Sequence, residues 1–175
     1  MTPYHLTSHE LERIIRQYAA MIFRLAFAYT KKKETADDIL QEVSIELIKR
    51  QKRFTDEEHL KAWLIRVTIN KCHSLNRSKK HRSEIPFDPT ELKDALTPEQ
   101  RETHPAEDPH ELWDRVLMLP NKLSQVLLLY YAEDMTTREI ARLLRIRESS
   151  VRSRLTRARR SLKDLLENKD PETPR

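Results

Sequence analysis

Glycine is absent from all 175 residues. Since glycine is the usual occupant of left-handed turns and helix ends, a fold rich in tight hairpins is disfavoured. Loops in which glycines cradle phosphates are excluded outright, and with them the dinucleotide-binding and P-loop readings. The glycine-flanked nucleophile elbow of hydrolases falls on the same ground. Cysteine is nearly absent: Cys72 alone leaves no internal disulfide framework and suits a reducing compartment. Long apolar runs are missing too. The most hydrophobic stretch, 18–29, is interrupted by Arg24 and falls far short of the ~20 residues a bilayer span requires, so it reads as a buried helix face. No basic segment followed by an apolar core marks a secretory leader, and a cytoplasmic protein is expected.

Charge, by contrast, makes up 35% of the residues, with a net +5. A modest excess points to a polyanionic partner only where it is concentrated. Residues 61–82 carry Lys61, Arg66, Lys71, Arg77, Lys79, Lys80 and Arg82 without one carboxylate, and 145–160 form a second basic cluster. Between them, Glu84, Asp88, Glu91, Asp94, Glu99, Glu102, Glu107 and Asp108 alternate with Pro86, Pro89, Pro98, Pro105 and Pro109. Prolines remove backbone donors and like charges repel, which is the composition of an extended linker.

Helix starts are read from capping boxes, in which a threonine hydroxyl satisfies an orphan amide and an acid three residues on reaches back. Thr7 with Glu10 predicts the first helix, with a stripe of Leu11, Ile14, Ile15, Tyr18, Ile22, Leu25 and Tyr29. Thr35 with Asp38 predicts the second, burying Ala36, Ile39, Leu40, Val43, Leu47 and Ile48. A turn at 54–59 precedes a third helix over 60–77, with Trp63, Leu64, Val67 and Cys72 or Leu75 inward and Arg66, Asn70, Lys71 and Ser74 outward. Beyond the linker, helices are expected at 112–119 and, restarting after Pro120, at 123–132. Thr136 with Glu139 opens a short helix, 145–148 forms a turn, and Ser149 or Ser150 caps a last helix with Val151, Leu155, Ala158 and Leu162 on one stripe. The expected fold is all-α: two small helical domains, 1–82 and 112–168, joined by the acidic, proline-rich linker 83–111 and followed by a tail, 169–175.

A short capped helix, a turn and a basic helix, in that order, make a helix-turn-helix, whose second helix enters the major groove by its N-terminal residues. Ser149, Ser150, Arg152 and Ser153 occupy that end, where arginine can grip a guanine and serine can reach bases or phosphates. Arg154, Arg157, Arg159 and Arg160 are placed for phosphates. Leu119-Pro120, Glu139-Ile140-Ala141, Val151-Arg152-Ser153-Arg154-Leu155 and Arg157-Ala158-Arg159 resemble the C-terminal domain of bacterial RNA polymerase sigma factors, the extracytoplasmic-function subfamily above all. The N-terminal half resembles the same family. Thr35-Ala36-Asp37-Asp38-Ile39-Leu40-Gln41-Glu42-Val43 is similar to the helix that docks on the polymerase, and Ala62-Trp63-Leu64-Ile65-Arg66, followed by Asn70, to the promoter-melting helix.

The resemblance, over roughly 11–162, implies a non-enzymatic initiation factor that directs core RNA polymerase to promoters. It assigns Asp38, Gln41 and Glu42 to the β′ clamp coiled coil, and Ser149, Ser150, Arg152, Ser153, Arg154, Arg157 and Arg160 to the minus-thirty-five duplex. In the family, the 54–59 loop and the helix after it hold a base flipped from the minus-ten element, and Arg66, Asn70, Lys71, Ser74 and Arg77 are assigned to the melted strand; Trp63, which continues the apolar stripe, reads as core rather than as a stacking platform. The implied partners are core polymerase, promoter DNA and a membrane-linked anti-sigma protein, with no small-molecule substrate. The acidic linker either threads the polymerase channel as a phosphate mimic or is a solubilising tether. The family usually has glycine where Asp134, Arg145 and Ser149 stand, and Ser74 replaces an acid common in the melting helix.

No cofactor or metal is expected, because the histidines lack cysteine partners and His5 with His9 lacks a further ligand pair. Lys71 and His73 beside Cys72 could lower a thiol pKa, though packing is the simpler role. Two other functions compete: an operator-binding helix-turn-helix regulator that acts without polymerase, and an adaptor that only occupies polymerase. The acidic and basic helices of the N-terminal half argue against the first, and the recognition helix against the second.

Overall fold

The computed structural model describes residues 6–50, 52–78 and 109–167, and every regular element among them is a helix. Residues 1–5, most of the expected linker and the tail lie outside the described residues, as do His5, Lys79, Lys80 and Arg82. The chain divides into two compact units, Met1–Gln100 and Arg101–Arg175, each with its own buried core.

The first unit is a three-helix packing. Helix α1, Ser8–Thr30, starts at the Thr7–Glu10 capping box. It ends at Lys31, which is left-handed (φ 53°) and returns its N–H to the Phe27 carbonyl. Helix α2, Lys33–Lys49, begins two residues before the expected Thr35, and its Lys32 cap makes no side-chain hydrogen bond. The tight reversal decides this start: the Thr30 hydroxyl donates to the Ala26 carbonyl and accepts from the Lys32 N–H, so Thr35 is already inside the helix. Helix α3, Glu57–Ser78, also starts earlier than expected, because the Asp56 carboxylate accepts the His59 N–H at 2.7 Å and caps the first turn.

Both α2 and α3 pack on α1 and on each other, around Phe23, Phe27, Leu25, Ile39, Leu47, Leu64 and Ile69. Three expected core positions are corrected. Ile48 is 52% exposed, because the buried row of α2 runs Ala36, Ile39, Val43, Leu47 and the next residue lies about 100° around the helix. On α3 the inward row is Leu60, Leu64, Ile65, Thr68, Ile69 and Cys72, while Trp63 and Val67 are half-buried. Contact with two neighbours widens the buried face beyond a single stripe.

Cys72 is fully buried, and burial pushes its thiol up to about 12. Neighbouring Lys71 and His73 do not activate it. The native protein should therefore resist alkylation by iodoacetamide at mildly alkaline pH and react once denatured. Labelling of the folded chain at the rate of a free thiol would contradict this placement.

In the second unit, α4 spans Pro109–Met118, α5 Asn121–Leu127, α6 Thr137–Leu144 and α7 Glu148–Glu167. Pro109 begins α4, since the first helical position needs no N–H donor, so this helix takes in the last residues of the expected linker. The α5 helix widens into one π-helical segment, Leu128–Ala132, closed by Glu133 N–H to the Leu128 carbonyl at 3.1 Å. The capping box of α6 is present, with Thr136 N–H on Glu139 at 2.8 Å. Leu117, Leu119, Leu127, Leu128, Leu129, Ile140, Val151 and Ala158 form the core.

Two of the three positions where the family has glycine carry the backbone that glycine favours: Asp134 has φ 53° and Arg145 φ 56°. Arg145 closes α6 in a Schellman arrangement, its N–H on the Arg142 carbonyl and the Ile146 N–H on the Ala141 carbonyl. Ser149 lies in the first turn of α7 without positive φ. A side chain with a Cβ costs about 1–2 kcal/mol in the left-handed region, offset by roughly 0.4–1 kcal/mol of unfolded-state entropy that glycine adds. Arg145→Gly should thus stabilise the C-terminal unit by about 0.5–1 kcal/mol, a rise of several degrees in its melting temperature. Asp134→Gly should gain less, because aspartate tolerates this conformation better. A lower melting temperature for Arg145→Gly would refute the account.

Candidate nucleic-acid interface

The α6–turn–α7 pair is a helix-turn-helix. Val151, Leu155 and Ala158 seat α7 against α4, α5 and α6, which fixes what the opposite side presents. Ser149, Arg152, Ser153, Arg157 and Arg160 are exposed, and Ser150 and Arg154 are half-buried at the margin. Their spacing of three and four places the exposed five on one continuous face. Arg138 and Arg142 of α6 and Arg145 and Arg147 of the turn are also exposed and enlarge the basic surface. Because the helix begins at Glu148, the two serines sit inside its first turn instead of capping it.

Arg159, expected among the phosphate-facing arginines, is exposed and also engaged within its own unit. Its Nε donates to the Tyr131 hydroxyl at 2.8 Å, and its guanidinium lies over the Tyr130 and Tyr131 rings at 5.8 and 5.6 Å. The π-helical segment carries both tyrosines, and no spacing rule revealed that contact. A second contact invisible to periodicity joins the two helices of the motif. Glu148 Oε1 accepts from the Thr137 hydroxyl at 2.7 Å and from Arg152 at 3.1 Å. The Thr137 bond, followed by the charge of Arg152, holds the Glu148 carboxyl below its ordinary value.

In the N-terminal unit, Arg66, Asn70 and Ser74 are exposed and, four residues apart, form a row along α3. Arg77 follows in the last turn, its side chain outside the described residues. Lys71 does not stand free beside them: its Nζ bridges to Glu46 at 3.1 Å and Glu42 at 3.4 Å on α2. The Glu46 bond, foremost, raises its pKa. Two residues expected at different partners, Lys71 and Glu42, are thus paired with each other. Asp38, Gln41 and Glu42 are exposed along α2, and Ile45 at 47% and Ile48 at 52% continue the surface.

The α2–α3 connection carries an aromatic cluster. The Arg50 guanidinium lies 4.3 Å from the Phe54 ring centroid and 5.0 Å from that of Trp63. Phe54 meets both Trp63 and His59 edge-on at 5.5 Å. Trp63 is therefore committed to packing at the base of the loop. Among the described residues no group of three or more His, Cys, Asp or Glu could hold a metal ion, and no helix is long and apolar enough to cross a membrane.

Residues 14–82 match the family description Sigma-70 region 2, and residues 110–162 match Sigma-70, region 4. The RNA polymerase sigma-E factor of Streptomyces avermitilis is 30% identical over 161 residues, covering 92% of this chain and 87% of that protein. The ECF RNA polymerase sigma factor SigM of Bacillus subtilis is 27% identical over 157 residues, covering 89% and 94%. The probable RNA polymerase sigma factor RfaY of Xanthomonas campestris pv. campestris is 27% identical over 160 residues, or 88% of this chain, which spans 40% of that protein's length. Among solved structures, the sigma factor RpoE from Bartonella quintana, crystallised with the anti-sigma factor NepR, shares the fold at a TM-score of 0.60 and 20% identity, covering 93% of this chain and 97% of that one. The chain belongs to the sigma-70 family of RNA polymerase sigma factors, in its extracytoplasmic-function branch.

Proposed function

We propose that this chain binds core RNA polymerase and directs it to specific promoters, holding the minus-thirty-five element as duplex on α7 and opening the minus-ten element on α3. One observation carries the proposal: a region-2 unit that exposes the Arg66, Asn70, Ser74 row and a region-4 unit that exposes an arginine-faced helix-turn-helix occur in one chain. On α7, Ser149, Ser150, Arg152 and Ser153 meet base edges or nearby phosphates, and Arg154, Arg157 and Arg160 meet phosphates. On α3, Asn70 and Ser74 contact the opened strand while Arg66 and Arg77 hold its backbone. Lys71 joins them only by giving up Glu46 and Glu42. Asp38, Gln41 and Glu42 dock on the β′ clamp coiled coil.

The domain limits follow the same reading: a docking and melting domain over 1–82, a linker over 83–111 and a duplex-binding domain over 112–168. The factor acts in the cytoplasm, without enzymatic activity, cofactor, metal or small-molecule substrate of its own. An anti-sigma protein is its proposed regulator, in keeping with the anti-sigma complex of the Bartonella relative in fold; that this regulator is membrane-linked rests on the family resemblance alone.

Purified protein mixed with core polymerase and fragmented genomic DNA should yield new transcript starts, with permanganate-reactive thymines just upstream of each. Asn70→Ala with Ser74→Ala should impair opening, and Arg152→Ala upstream duplex binding. Absence of new starts and melted DNA would overturn the proposal. Tight footprints on palindromic duplexes without polymerase would establish the operator-binding regulator instead.

A further inference from the structure

The contact between Glu148 and Arg152 lies at the reading end of α7 and adds little to stability. The Arg152 side chain is 64% exposed, and solvent screens an ion pair this open. Its geometry is nonetheless determined from both sides. Glu148 is only 33% exposed and is anchored across the motif, because the oxygen that receives Arg152 also receives the Thr137 hydroxyl from α6. The acceptor is therefore tied to both helices, and the guanidinium pairs with a tethered oxygen.

That arrangement suits a base reader. A free arginine samples many rotamers, and ordering it on DNA costs side-chain entropy. A guanidinium has five donors in a rigid fork, so one terminal nitrogen can stay on Glu148 while others meet the O6 and N7 of a guanine. A carboxylate at this point also disfavours a phosphate as the arginine's alternative partner. We infer that Glu148, fixed by Thr137, is a positioning residue that sets Arg152 for base reading and thereby determines specificity at one base pair of the minus-thirty-five element. The inference rests on the reading of α7 as the duplex-binding helix.

The test is a double-mutant cycle in reconstituted holoenzyme, with Glu148→Ala, Arg152→Ala and both together, on promoter fragments permuted one base pair at a time through the mapped minus-thirty-five element. Arg152→Ala should abolish discrimination at one position. Glu148→Ala should reduce discrimination at that same position by about threefold to tenfold, a part of what a bidentate contact supplies. It should have no further effect in the Arg152→Ala background. A role confined to holding the two helices together would lower affinity for every fragment alike. Should Glu148→Ala fail to fold, as judged by circular dichroism, the same cycle is run with Glu148→Gln, which keeps an acceptor for Thr137 but not the charge that holds Arg152.

Unchanged discrimination in the Glu148 variants, or an equal loss with and without Arg152, would overturn the inference while leaving α7 as the reader. If Arg152→Ala changes no position, the reading of α7 falls and the inference with it.

Discussion

Replacing Phe27 with alanine should unfold the N-terminal unit and abolish promoter opening without touching any residue assigned to DNA or polymerase. Phe27 is fully buried near the C-terminal end of α1 and stacks on Phe23 with ring centroids 5.9 Å apart. Both other helices of the unit pack on α1, so the cavity would open in the helix that organises the core. Phe→Ala in such a site costs about 3–5 kcal/mol. A folded unit of this size holds only roughly 4–11 kcal/mol in total. Each unit contains one tryptophan, Trp63 and Trp113, so urea unfolding followed by fluorescence in a Trp113→Phe background isolates the first. The midpoint should fall far below that of the parent, or the transition should vanish. Ile48→Ala, by contrast, should move it by no more than about 0.5 kcal/mol, since Ile48 faces solvent. Equal losses from both substitutions would show that the core is misplaced.

That pair of residues also marks how far the chain could be read without coordinates. Both are large, apolar and at helical spacing, and a short stripe fits several phases of a helix until a neighbour selects one. Capping boxes were more legible, because a threonine and a glutamate three residues apart satisfy each other without help. Thr7 with Glu10 and Thr136 with Glu139 both close in this way. Thr35 with Asp38 has the same form and fails, because the reversal at Thr30, Lys31 and Lys32 starts α2 before Thr35 is reached. Local chemistry sets a helix start only where the chain arriving there leaves it free.

The candidate interface divides along the same line. The exposed faces of α3 and α7 follow from which residues are apolar, and Arg66, Asn70, Ser74, Arg152 and Arg157 stand where periodicity puts them. The pairings that modify those faces join residues far apart in the chain. Lys71 reaches Glu46 across 25 positions, Arg159 reaches Tyr131 across 28, and Glu148 reaches Thr137 across 11. Each changes what a basic or acidic residue is available to do. None leaves a signature in spacing or composition, because each depends on how separate helices meet.

Arg157 and Arg160, which take part in none of those three pairings and lie exposed three residues apart on α7, should carry the largest share of salt-dependent affinity for the minus-thirty-five duplex. Each phosphate neutralised contributes about 0.9 to the slope of log K against log salt. Arg157→Ala with Arg160→Ala should therefore flatten the slope of holoenzyme binding by about 1.8. The same two contacts are worth roughly 60-fold in affinity near 0.1 M salt, since each scales as the salt concentration to the power of about −0.9. Discrimination among base pairs should persist, because phosphate contacts position the helix without reading sequence. Arg154→Ala should cost less, its side chain being half-buried at the margin of that face. Arg159→Ala should flatten the slope less than Arg157→Ala does, since its guanidinium is held at Tyr131. A slope that Arg159→Ala flattens as much as Arg157→Ala does would show that the tyrosine contact gives way on DNA.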